Sequence, residues 1–123
     1  MNIELQVDLI AQEKELRHFV QGRVDYALGR HRHQIACVRV RVGAVYEPQD
    51  LKDKGCQVQV SLPGHSDIVV ENQDSNIYIA VHRAVDRAGW TVARCLERSR
   101  RRAANRVYSG RQLIERREPN LAA

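Results

Sequence analysis

At 123 residues and 14.1 kDa, the chain has room for one compact domain and not for two. Hydrophobic residues at 43% and charged residues at 28% lie near the averages of soluble globular proteins, which excludes wholesale disorder and a disulfide-stapled miniature. The net charge of +5 is unevenly spread: residues 1–74 carry nine Lys/Arg against eleven Asp/Glu, residues 75–104 seven against two, and residues 105–123 four against two.

The positive surplus therefore lies in the last 49 residues, and such polarity points to a polyanionic partner on one side of the molecule. No apolar run approaches the roughly 18–20 residues that cross a bilayer, and no basic segment precedes an apolar one at Met1-Asn2-Ile3-Glu4. A cytoplasmic location is expected. Cys37, Cys56 and Cys95 are odd in number and lack C-x-x-C spacing, so they read as reduced core thiols and not as a zinc ribbon or a disulfide framework.

Along the chain, Ile3, Leu5, Val7 and Leu9 alternate with Asn2, Glu4, Gln6 and Asp8, the period of a half-buried strand. Over 12–29 the period changes. Leu16, Phe19, Val20, Val24, Ala27 and Leu28 share one helical stripe, with Glu13 and Glu15 in the first turn where the helix dipole favours anions. Alternation returns over 34–46, with Ala36, Val38, Val40, Val42 and Ala44 facing one way. A polar loop at 47–55 is followed by a return strand bearing Cys56, Val58, Val60 and Leu62. Pro63-Gly64 then turns the chain into a short fourth strand at 65–71.

Asp74 or Ser75 is placed to cap a long helix over 75–104. Its apolar stripe is Ile77, Val81, Ala84, Val85, Ala88, Val92, Cys95 and Leu96. The order is β-α-β-β-β-α. Two helices with one apolar face each cover one face of a four-stranded sheet, giving an α+β, two-layer sandwich over 1–104. The other sheet face, with Glu4, Gln6, Arg39, Arg41, Gln57, Gln59 and Ser61, meets water. Residues 105–123 form a basic tail, mobile or a short docking helix.

On the second helix Arg83, Arg87, Trp90, Arg94, Arg98 and Arg101 follow one another at intervals of four, three, four, four and three, which keeps them on one face. Guanidinium groups at helical spacing can each meet a phosphate, and a Trp in the row offers a flat surface for a base. The plainer alternative is a solvated face with Trp90 lying on Arg stems. Only Asp86 and Glu97 lie near this row, so like-charge repulsion works against the helix and favours a polyanion partner. Arg100, Arg101 and Arg102 extend the charge and also suit a helix C-terminus. Arg30-His31-Arg32-His33 ends the first helix in the same way. His31 and His33 lack a third metal ligand at any telling spacing, so they read as part of a basic rim and no metal is expected. Arg39 and Arg41 on the open sheet face either reach a partner or pair across strands with Glu4 and other acids, the second reading slightly ahead, and Tyr78 reads as core or helix-start packing.

No G-x-S-x-G, H-E-x-x-H, P-loop or G-x-G-x-x-G is present, so neither enzyme activity, a cofactor nor a small-molecule substrate is expected. The strands carry no stacking rings and there is no G-x-x-G loop, which favours recognition of folded RNA by shape and phosphate over reading of bases.

Three features resemble the ribosome hibernation-promoting factor and ribosome-associated translation inhibitor family, also called sigma-54 modulation proteins, in its short form. They are the β-α-β-β-β-α order, the segment Glu15-Leu16-Arg17-His18-Phe19-Val20 with Arg23 and Leu28, and the stretch Asp74 to Tyr78 with Ala80-Val81 and Asp86-Arg87. The resemblance spans about residues 1–102. It implies binding to rRNA of the small ribosomal subunit, in the channel used by mRNA and tRNA, with translation blocked in idle or stressed cells. It assigns that contact to Arg87, Arg94, Arg98 and Arg100–Arg102, with Arg17, Arg23 and Arg30 on the first helix as further candidates. The long form's dimerisation domain is absent, so a monomer is expected, with no membrane partner. The alternatives are a general double-stranded RNA-binding module and an adaptor docking an acidic protein or an anionic membrane surface through the same stripe.

Overall fold

The computed structural model describes residues 1–8, 13–45 and 52–117, with 106–117 described by backbone alone. In chain order the elements are β1 (Asn2–Val7), α1 (Glu13–Leu28), a 3-10 turn (Gly29–His31), β2 (Cys37–Ala44), β3 (Lys54–Ser61), β4 (Ile68–Asp74) and α2 (Ile77–Arg117). The chain divides into two compact units, Met1–Val92 and Ala93 onward, and α2 contributes to both.

In the first unit the strands form one sheet in the order β1-β2-β3-β4. β1 and β2 run parallel, Ile3 opposite Val38 and Leu5 opposite Val40, as strands joined through a helix can. β3 is antiparallel to both neighbours, placing Val58 opposite Val40 and Val70. Because side chains alternate across a pleated strand, Val38, Val40, Val42, Cys56, Val58, Val60 and Val70 share one buried face. The polar set Glu4, Gln6, Arg39, Arg41, Gln57 and Gln59 lines a shallow depression on the other. Stiff β-branched valines suit this pleated, covered surface. This is the expected α+β sandwich.

Leu16, Val20, Val24 and Leu28 recur every four residues on α1 and are buried, as are Ile77, Ala80, Val81, Ala84, Val85, Ala88 and Val92 on α2. The small residues on α2 permit close approach. A Cβ at Gly89 would stand 2.9 Å from the Ala27 carbonyl oxygen, so this position has space only for hydrogen. Phe19 and Tyr78 meet edge to face, centroids 5.0 Å apart, which fixes the start of α2 against α1 and bears out the packing role read for Tyr78.

Several boundaries differ from the sequence reading. The fourth strand runs Ile68–Asp74 and not 65–71, because Glu71 through Asp74 pair with Gln57 back to Lys54. That pairing also draws Lys54 and Gly55 out of the predicted loop into β3. Gly64 makes the intervening turn at φ +81°, with the His65 amide donating to the Leu62 carbonyl at 3.0 Å. The N-cap of α2 is Asn76, whose Oδ1 accepts the Tyr78 amide at 3.0 Å. Asp74, instead of capping the helix, accepts the Asn76 amide at 2.9 Å and so shapes the turn before it. The helix continues past Ala104 to Arg117, since no proline interrupts it before Pro119. Ala36, just before β2, and Ala44, at its end, read as part of the inward set, are exposed. Leu9, residues 46–51 and residues 118–123 lie outside the described residues.

Candidate nucleic-acid interface

Within the first unit, Arg83, Arg87 and Trp90 lie on the exposed side of α2, opposite the buried alanines and valines. Arg83 Nη1 donates to Asp74 Oδ2 at 3.3 Å, which anchors the guanidinium while 58% of the side chain remains exposed. Arg87 is exposed and makes no ion pair among the described residues. Its carbonyl accepts the Thr91 hydroxyl at 2.7 Å. Trp90 keeps 62% of its surface exposed.

These three residues, with Asn72, His82 and Asp86, line an open depression of about 730 Å³. Asp86 faces two cationic or potentially cationic groups, Arg23 Nη2 at 3.1 Å and His82 Nε2 at 3.7 Å, so its charge is offset locally. Asn72 lies two residues beyond Val70 on the covered side of β4. Its Oδ1 is shut from water and has no hydrogen-bond partner among the described residues. An unpaired buried acceptor costs about 1–3 kcal/mol. Asn72, His82 and Asp86 did not emerge as site residues from the sequence. Glu71, Asn72, Gln73 and Asp74 are all polar, so no hydropathy pattern marks Asn72, and only its spacing of two from Val70 along β4 places it on the covered side.

In the second unit Arg94, Arg98, Arg100, Arg101 and Arg102 are all exposed. Arg101 pairs with Glu97 at 3.4 Å one turn earlier. Arg98, Arg100 and Arg102 make no ion pair among the described residues, leaving a run of cations whose mutual repulsion an anionic partner would relieve.

The first-helix candidates are placed differently. Arg17 donates to Glu13 Oε2 at 3.4 Å and to the Leu5 carbonyl at 3.3 Å. Arg23 is only 22% exposed, pairs with Asp86 and stands 5.1 Å from the Tyr26 ring centroid, so it ties α1 to α2. Both have donors committed within the unit. Arg30 is exposed on the 3-10 turn and His31 is half-buried. Arg32 Nε donates to the Gly29 carbonyl at 3.1 Å, the pairing of a cation with a helix end that the sequence indicated.

On the open sheet face Arg39 pairs with Glu4 at 3.4 Å, Gln57 donates to Glu71 at 2.9 Å and Gln59 to Asp67 at 2.8 Å, so cross-strand bonding accounts for most of its polar groups. Arg41 makes no ion pair among the described residues. The three cysteines are free thiols. Burial pushes Cys56 up to about 12. Cys37 is raised first by burial and then by Glu4, whose Oε2 lies 3.5 Å from its Sγ. Both stay protonated near neutrality. No described helix is long and apolar enough to cross a membrane.

Fold and surface together define an α+β sandwich with an arginine-bearing second helix, and solved structures share that fold. The N-terminal domain of Protein Y from Thermus thermophilus is 28% identical, with a TM-score of 0.59 over 76% of this chain and 98% of that one. A ribosomal subunit interface protein from Coxiella burnetii superposes with the same TM-score over 79% of this chain and 99% of its own. At 18% identity it speaks to the fold alone. Both neighbours are members of the hibernation-promoting-factor family, and the resemblance read from the sequence is borne out. No family model and no curated protein matches the sequence.

Proposed function

We propose that this chain is a cytoplasmic, ribosome-associated protein that binds rRNA phosphates of the small subunit in the mRNA and tRNA channel. It inhibits translation there by occupying space, with no chemistry and no cofactor. The observation that carries this reading is the exposed arginine series of α2, beginning with Arg83 and Arg87, on a fold shared, at 28% identity, with the N-terminal domain of Protein Y. Exposed guanidinium groups one helical turn apart offer repeated charge-assisted contacts to a phosphate chain. Arg94, Arg98, Arg100, Arg101 and Arg102 supply further contacts from the second unit, and Arg30 and His31 a basic rim. Arg17 and Arg23 act mainly in holding α1.

Sedimentation with isolated ribosomal subunits tests the proposal. Protein in the small-subunit peak alone supports it. Equal binding to small subunits and to free duplex RNA instead marks a general RNA-binding module, and association that survives nuclease treatment marks a protein-docking adaptor.

A further inference from the structure

We propose that the helix of the second unit enters a groove of folded RNA with phosphates on both of its sides, and that the groove is one opened by a bulge or internal loop. The inference rests on the RNA-binding reading above and specifies the kind of RNA that the second unit takes.

Three observations converge. Residues 93–117 of α2 carry nine arginines, no lysine and two glutamates, a net +7. These arginines are not confined to one face. At about 100° of turn per residue, Arg94, Arg98 and Arg101 lie within roughly 60° of one another, Arg102 stands about 40° beyond Arg98, and Arg100 stands roughly 160° from it. The stripe Val81, Ala84, Ala88 and Val92, buried in the first unit, continues at Cys95, Ser99 and Arg102, so a cation follows where the helix had been apolar. Among the described residues of the second unit none is buried, and Arg100 to Asn105 are exposed without a break, which is more than one turn. Arg98, Arg100 and Arg102 make no ion pair among the described residues, so cations on different sides of the helix lack a counter-charge.

The charge selects the occupant. Between Glu97 and Asn105 the only apolar residues are Ala103 and Ala104, which gives no apolar face for a membrane surface or for a hydrophobic protein groove. A second copy of the chain carries the same charge and repels it. A flat row of phosphates would meet one side of the helix and leave Arg100 unused, whereas the two walls of a groove answer cations on opposite sides with the bidentate partner that guanidinium favours. A helix about 10–12 Å across does not fit the deep, narrow major groove of an unbroken A-form duplex. A bulge interrupts the stack and lets the strands part, and such irregular places are where proteins reach into folded RNA.

The test is anisotropy of the full chain with three RNAs of equal phosphate count: an unbroken duplex, the same duplex with an internal bulge, and a single strand. The bulged duplex is expected to bind about tenfold tighter than either of the others. The double variant Arg100→Gln, Arg102→Gln should lose about tenfold for the bulged duplex and lower its salt slope by about 1.4–1.8, while its affinity for the unbroken duplex changes by less than about twofold. Its helical circular dichroism should be unchanged, since glutamine is a good helix former. Arg100→Lys with Arg102→Lys, which keeps both charges, should keep the salt slope. Equal affinity for bulged and unbroken duplex overturns the proposal, as does undiminished affinity for the bulged duplex in the Gln variant. Binding of the single strand, of polyglutamate or of anionic vesicles as tight as that of the bulged duplex also overturns it. Sedimentation with small subunits without a preference for the bulge removes the groove contact alone. A preference for the bulge without subunit binding keeps the groove contact and removes the ribosomal reading.

Discussion

Replacing Arg87, Arg94 and Arg98 with Gln isolates what the α2 arginines contribute. Each phosphate contact releases condensed counterions, and its loss lowers the slope of log affinity against log salt by about 0.7–0.9. Three lost contacts should lower the slope by roughly two to three, which over a fourfold rise in salt alters the salt effect by about thirtyfold. All three side chains are exposed, and Arg87 and Arg98 make no ion pairs among the described residues. Folding stability should therefore stay within about 0.5 kcal/mol of the unchanged chain. Arg83 and Arg101 begin from pairs with Asp74 and Glu97, so single Gln substitutions there should change the slope less than Arg87→Gln does. The assay is anisotropy of labelled protein titrated with small subunits at several potassium chloride concentrations, with urea melts as the folding control. A triple variant that folds normally and keeps the original slope refutes the assignment of phosphate binding to α2.

Gly89→Ala should cost about 1–3 kcal/mol, because its Cβ would meet the Ala27 carbonyl oxygen at 2.9 Å. An unchanged urea midpoint would show that the helices do not approach so closely. Arg23→Gln should cost about 1 kcal/mol, since the pair with Asp86 is only partly shielded. Its salt slope should match that of the unchanged chain, and a reduced slope would return Arg23 to the binding surface. Cys56 ionises near its ordinary value when unfolded and at about 12 when folded, so between those values only the unfolded chain loses the proton. Its contribution is complete below the unfolded value and falls by about 1.4 kcal/mol per pH unit above it. Urea melts at about pH 8 and about pH 10 should show this decline, smaller in Cys56→Ala. The same decline in both proteins would contradict it.

The architecture was legible where periodicity is strong. Val38, Val40 and Val42 against Val58 and Val60 announce paired strands with one covered face, and Leu16, Val20, Val24 and Leu28 announce a helix, because burial of an apolar face is what those patterns encode. Boundaries set by other forces were not legible. Glu71 to Asp74 look like a turn, yet belong to β4 because backbone pairing to β3 needs no apolar side chain. Asn76 displaces two good capping candidates because Asp74 is bound to its amide.

The arginine row was visible from spacing alone, since 3.6-residue periodicity fixes which side chains share a face. Which arginines are already occupied was not visible. That Arg23 meets Asp86, 63 positions away, and that Arg17 reaches the Leu5 carbonyl depends on how α1 lies on the sheet. The unpaired oxygen of Asn72 was equally hidden, because satisfaction of a polar group is a property of its surroundings and not of its type.

The most direct measurement of the central claim is sedimentation of the protein with small subunits through a sucrose gradient at near-physiological salt, with and without mRNA and initiator tRNA loaded beforehand. Steric occupation of the channel predicts co-migration with empty subunits and release to the top of the gradient from loaded ones. Equal co-migration with empty and loaded subunits, or protein that stays at the top in both, would contradict it.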